Sequence, residues 1–174
     1  GPRTPDLEKI KSLGPAFLEE GTITAATSSP ISIGASAILI SSRTFAEKNS
    51  LRIRATIKGR SVVGVDWRRM GMGPLPATEK VLKKLNMTMD QIDVIELNEA
   101  FAAQSLYVIK NGKWDTNKIN KNGGAIALGH PLGCSGARII TTLVNIMEQQ
   151  GSKTGLATMC IGTGQGIATV LERN

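Results

Sequence analysis

The sequence predicts an α/β domain with a mainly buried sheet. Three observations carry this. Helical periodicity alternates with short apolar or period-two segments, turns rich in glycine or proline part them, and 174 residues with 41% hydrophobic positions are enough for one core. Residues 1–30 read as an entry segment, with an amphipathic stretch at 7–13, a Gly14-Pro15 break and a small-polar run at 25–29 suited to close approach by a ligand. Residues 31–174 read as the folded domain. It opens on the Ile- and Ala-rich run 31–41, expected as a buried helix or strand, and a short helix at 44–49. Residues 52–57 alternate with period two and 61–65 continue the pattern, as a half-buried strand does. After the turn at 71–76, Val81, Leu82 and Leu85 share one face of a helix over 77–85. A turn at 88–91, a strand at 92–97 and a helix at 99–110 follow. Residues 125–128 are apolar, 129–136 form a glycine-rich turn, and Ile139, Ile140, Leu143, Val144 and Met147 mark a helix over 137–150. Segments 154–161 and 166–171 read as an antiparallel pair joined by a short glycine loop.

Composition excludes several function classes. Two cysteines without a Cys-x-x-Cys pair do not make a disulfide scaffold, and with one histidine they cannot complete a structural zinc site without carboxylates, so no metal is expected. Aromatic residues at 3% argue against base stacking, and no apolar run is long enough to span a bilayer. The first residues lack the apolar core of a signal peptide, and a reducing, intracellular setting is the expectation. The net charge of +7 is concentrated in residues 43–84, where eleven Lys/Arg face three acids. Such a patch suits a phosphorylated ligand or a solvated face; nucleic-acid binding rests on this patch alone.

Chemistry-bearing side chains fall at three junctions where strands end, the usual ligand edge of an α/β sheet. Asn98 stands just before a helix, so it reads as an N-cap, a role compatible with an amide that holds a water or a carbonyl oxygen. His130, the only histidine, sits between Gly129 and Pro131 and can serve as acid, base or donor near neutral pH, or as a satisfied loop residue. Cys160 ends an apolar strand before Gly162-Thr163-Gly164, where backbone N–H groups can bind an oxyanion; the alternative is an inert buried thiol.

Taken together, Asn98-Glu99-Ala100-Phe101, Gly129-His130-Pro131 and Cys160-Ile161-Gly162-Thr163-Gly164, in this order and spacing, resemble the active-site blocks of the thiolase family, over the C-terminal half of such a protein. The wording around Cys160 and Gly133-Cys134-Ser135-Gly136 looks most like the degradative 3-ketoacyl-CoA thiolases, with acetoacetyl-CoA thiolases close behind. The resemblance implies a five-stranded mixed sheet with helices on both faces, one of them shared with an N-terminal half, and an apolar surface meant for that half. It implies an acyltransferase with coenzyme A and acyl-CoA as substrates and no covalently bound cofactor. The nucleophilic cysteine belongs to the N-terminal half, so residues 1–30 would be a loop remnant, 31–174 a C-terminal domain, and the 174 residues inactive alone. Homo-oligomers are the family's habit, and the cytoplasm, or mitochondria or peroxisomes in a eukaryote, its compartment. By position, His130 matches the base that activates the nucleophile, Asn98 the amide of the same oxyanion hole, Cys160 the acid/base thiol, and Gly162 a backbone donor to a second hole. Ser29 matches a serine that contacts coenzyme A, although Pro30 and Ile33 depart from the usual loop, which carries an acidic residue before Gly-Ala. Cys134 matches no catalytic position and is expected to serve packing. A non-catalytic coenzyme A-binding module is the competing reading.

Overall fold

A computed structural model of the chain describes residues 4–173. It contains six α-helices, α1 (Leu7–Ser12), α2 (Arg43–Lys48), α3 (Pro74–Leu85), α4 (Ala102–Gly112), α5 (Ala125–Leu128) and α6 (Ser135–Gln150). Four strands, β1 (Thr56–Gly64), β2 (Val94–Leu97), β3 (Thr154–Ile161) and β4 (Gln165–Glu172), form one mixed sheet in the order β1-β4-β3-β2. β2 and β3 run parallel, and the other two pairs are antiparallel.

Side chains alternate across the sheet, so each face collects its own core. Ile95, Leu97, Leu156, Ala168 and Val170 meet Ala77, Val81 and Leu82 of α3 and Val108 of α4. Val94, Ala157 and Leu171 meet Ile139, Leu143, Val144, Ile146 and Met147 of α6. Helices therefore cover both faces, as expected. α3 starts with Pro74 in its first turn, where the missing N–H costs nothing, and stops at Asn86, whose left-handed φ of 52° closes the helix with bonds to Leu82 and Lys83.

The sheet has four strands among the described residues, where five were expected. The fifth position, beside β2, shrinks to a single parallel bridge between Ile95 and Ile119. The chain cannot continue as a strand there, because Asn120 turns away with a φ of 45°. Nor is 31–41 a buried helix or strand: it has no regular structure, and Ile31 and Ile33 are fully exposed. Its backbone gains no ladder partner among the described residues, so apolar composition alone did not bury it. Segment 52–55 likewise precedes the strand. Phe17, Leu18, Leu39, Ile40, Trp67 and Leu132 are likewise exposed large apolar side chains. No described helix is long and apolar enough to cross a membrane.

The β3–β4 hairpin is held against the segment before α3 by backbone contact. A Cβ placed on Gly166 would lie 2.0 Å from the carbonyl oxygen of Gly73, with no flexible side chain to give way. Gly166→Ala is expected to lower unfolding stability by about 3 kcal/mol, read as a reduced denaturant midpoint at unchanged slope.

Candidate active site

Two neighbouring strands bring the predicted residues to one edge. Leu97 pairs with Thr158, and the Asn98 N–H donates to the Thr158 carbonyl at 3.0 Å, so Asn98 and Cys160 leave the sheet at the same end. Asn98 is not the cap of α4: Phe101 holds that position, and the Ala100 N–H bonds the Asn98 carbonyl in a turn that precedes the helix. Freed from capping, the Asn98 side chain is buried and its Nδ2 lies 3.3 Å from His130 Nε2. His130 follows not a strand but α5, whose last carbonyls give way to Gly129 at a φ of 95°.

Hydrogen-bond inventory fixes the state of the imidazole. His130 Nδ1 lies 2.6 Å from Ser135 Oγ, whose single proton goes to the Pro131 carbonyl at 3.0 Å. Ser135 must then accept, so the ring carries its proton on Nδ1 and offers a bare Nε2 to the Asn98 amide. Burial, with the Arg138 charge behind it, lowers the His130 pKa below its ordinary value and keeps the ring neutral. Arg138 itself donates to the Gly129 carbonyl at 2.7 Å. This is a base held in one tautomer with its free lone pair facing an amide donor.

Cys160 is buried and unoxidised, and burial pushes its thiol above the ordinary range. It is thus a proton holder rather than a standing thiolate. It pairs with Gly166 in the hairpin, and the turn beyond it takes left-handed φ at Thr163 (68°) and Gly164 (91°). Gly162 is exposed, and its N–H has no backbone partner among the described residues. An unpaired N–H beside a protonated thiol is a donor set for a developing negative charge.

The structure also brings Ser29 to this edge. Its N–H donates to the Ala100 carbonyl at 3.0 Å, and Ser28 bridges Phe101. The segment beyond it lies on the His130 loop: a Cβ on Gly129 would fall 2.2 Å from Ser32 Oγ, and one on Gly34 would fall 2.8 Å from Pro131. Cys134 is buried at the start of α6.

Sequence reasoning passed over Ser135, Arg138, Asn120 and Glu96. Ser135 lies five residues past the histidine at the start of α6, a spacing with no motif of its own. Glu96 is a carboxyl inside a four-residue strand that is buried throughout. A lone acid within an apolar run was the available signal.

The profile of the thiolase C-terminal domain matches residues 51–173, and that of the thiolase N-terminal domain matches residues 2–44. A 3-ketoacyl-CoA thiolase of Aliivibrio salmonicida is 59% identical over 171 residues, covering 96% of this chain and 44% of that protein. One from Acinetobacter baumannii is 57% identical, with 97% and 44% covered. Among solved structures, the Bacillus anthracis acetyl-CoA acetyltransferase superposes with a TM-score of 0.94 at 41% identity, over 96% of this chain and 42% of its own. Human mitochondrial 3-ketoacyl-CoA thiolase in complex with CoA gives 0.90 at 38% identity, over 98% and 43%. The chain therefore spans less than half the length of the relatives it matches. With 123 matched residues in one domain profile and this fold, the chain belongs to the thiolase family.

Proposed function

We propose that these residues form the C-terminal part of an enzyme that cleaves 3-ketoacyl-CoA with coenzyme A, giving acetyl-CoA and a shortened acyl-CoA, or runs the reverse Claisen condensation. The observation that carries the reading is the Asn98–His130 pair, set at the end of β2 beside the Cys160 end of β3.

In cleavage, a cysteine thiol of the N-terminal half gives its proton to His130 Nε2 and attacks the 3-keto carbon. The bond between C2 and C3 breaks, its electrons form the acetyl-CoA enolate, and Cys160 donates the proton that C2 needs. The coenzyme A thiol then gives its proton to the Cys160 thiolate and takes the acyl group from the nucleophilic cysteine, whose sulfur leaves and recovers the proton held on His130 Nε2. His130, protonated at Nε2, and Asn98 bind the thioester oxygen as the enolate forms, and the Gly162 N–H binds the acyl carbonyl. Ser29 contacts the pantetheine arm, and the residues that match the C-terminal profile act as the C-terminal domain. Two free cysteines suit a reducing, cytoplasmic compartment. The working assembly is this chain's residues with the N-terminal half, in a homo-oligomer.

Thiolysis of acetoacetyl-CoA and of a longer 3-ketoacyl-CoA tests this, comparing the 174 residues alone with a mixture that includes the N-terminal half of a relative. Activity is expected only on mixing, and the ratio between substrates separates the degradative reading from the acetoacetyl-CoA one. A stable complex without turnover would turn the reading to a non-catalytic coenzyme A-binding module.

A further inference from the structure

Asn98 and His130 sit on different loops, and something outside both must set the 3.3 Å between them. β2 is the edge strand, and the chain that runs alongside it stops pairing at Ile119. Asn120 replaces the missing strand with its side chain. Its N–H donates to the Ile95 carbonyl at 2.9 Å, its Oδ1 accepts the Leu97 N–H at 2.9 Å, and its Nδ2 donates to the Leu97 carbonyl at 2.8 Å. Leu97 is thereby clamped on both backbone groups, one residue before Asn98.

The second proton of that amide goes to Glu99 Oε1 at 3.0 Å, and Glu99 Oε2 accepts the Ile126 N–H of α5 at 3.2 Å. α5 leads through Gly129 to His130. Both partners of Glu99 are donors, so an acceptor-only carboxylate satisfies them and an amide cannot. The space is made for it: a Cβ on Gly124 would lie 2.0 Å from the Glu99 carboxyl carbon.

We propose that Asn120 and Glu99 are positioning residues, a hydrogen-bonded strut that sets the separation of the Asn98 amide from the His130 ring. The proposal rests on the reading of that pair as an oxyanion site, and its test is chosen so that the two fail separately. His130 is the single histidine, so its ring protons are identified in NMR spectra of the labelled chain without ambiguity. In the unmodified chain the Asn98 side-chain amide is expected to show a cross-relaxation peak to the His130 ring. In Glu99→Gln and Asn120→Ala this peak should be lost, while amide shifts of the β3–β4 hairpin stay in place. In the active mixture the same variants should lower kcat by about tenfold to a hundredfold with KM unchanged. A peak of full intensity in folded Glu99→Gln overturns the proposal. So does loss of the fold in both variants, since the strut would then hold the domain rather than the pair. If the unmodified chain shows the peak and the variants lose it, the proposal stands even where no mixture turns over; that second result bears on the reaction alone.

Discussion

Thiolysis by the mixed halves is expected to fall by about 10²–10⁴ in Cys160→Ala and in His130→Ala, the range that loss of a positioned acid or base produces. The two variants remove different protons. Cys160 is buried with its thiol pushed above the ordinary range, so near neutral pH it holds a proton, the one that the proposed reaction gives to the enolate. His130 is kept neutral with a bare Nε2, the site to which the proposed reaction moves the proton of the attacking thiol. Neither side chain is among the large apolar residues that fill the two cores, so both variants should retain the cooperative unfolding of the unmodified chain. The measurement is the initial rate at saturating 3-ketoacyl-CoA, with complex formation checked by sedimentation. An undiminished rate in a folded Cys160→Ala variant removes that residue from the reaction.

Relative to Glu96→Gln, the unmodified chain is expected to lose stability as the pH rises from about 4.5 to about 8. Glu96 is 4% exposed, and its Oε1 has no hydrogen-bond partner among the described residues. Burial raises its pKa from 4.5 to about 8, with Arg138 offsetting the rise and Glu99 adding to it. Between those values the folded chain holds a proton that the unfolded chain has released. Raising the pH therefore favours unfolding, by up to about 1.4 kcal/mol per pH unit for this one group. Below 4.5 and above 8 its contribution is flat. His130, whose pKa is lowered, works in the opposite direction below its ordinary 6.5, and Asp93, also lowered, costs stability in stronger acid. Both remain in the variant, so the difference between the two denaturation series isolates Glu96. Parallel series across this window would remove the buried carboxyl from the account. A neutral Glu96 also spares Asn98, two residues on, a fixed negative charge near the proposed oxyanion site.

Most elements were legible because periodicity and partners agreed. The apolar face of 77–85 became α3, 154–161 became β3 with its hairpin partner, and the glycine-rich segment after Cys160 became the turn between them, left-handed at Thr163 and Gly164. The three site residues were legible as motifs, yet their pairing was not. The Asn98–His130 bond depends on a turn that delays α4 to Ala102, which no cap signal announced. Residues 31–41 were misjudged for a related reason. Apolar content favours burial only where another surface supplies the other side, and Ile31 and Ile33 meet none among the described residues. Asn120 escaped because a side chain standing in for a strand leaves no period in the sequence.

The sheet order has a consequence for assembly in time. β4, the last described strand in sequence, lies between β1 and β3, and Thr56 pairs with Glu172 near the far end of the chain. A ribosome delivers β1 long before β4, its one neighbour among the described residues, exists. Until then β1 has no ladder to join, and the α3 face that packs on β1 and β4 has only half its floor. Pairings so distant in sequence close slowly, so the growing chain carries an open strand edge until β4 has been made. The Cys160 turn, which joins β3 to β4, is therefore shaped only when β4 slots in between β1 and β3.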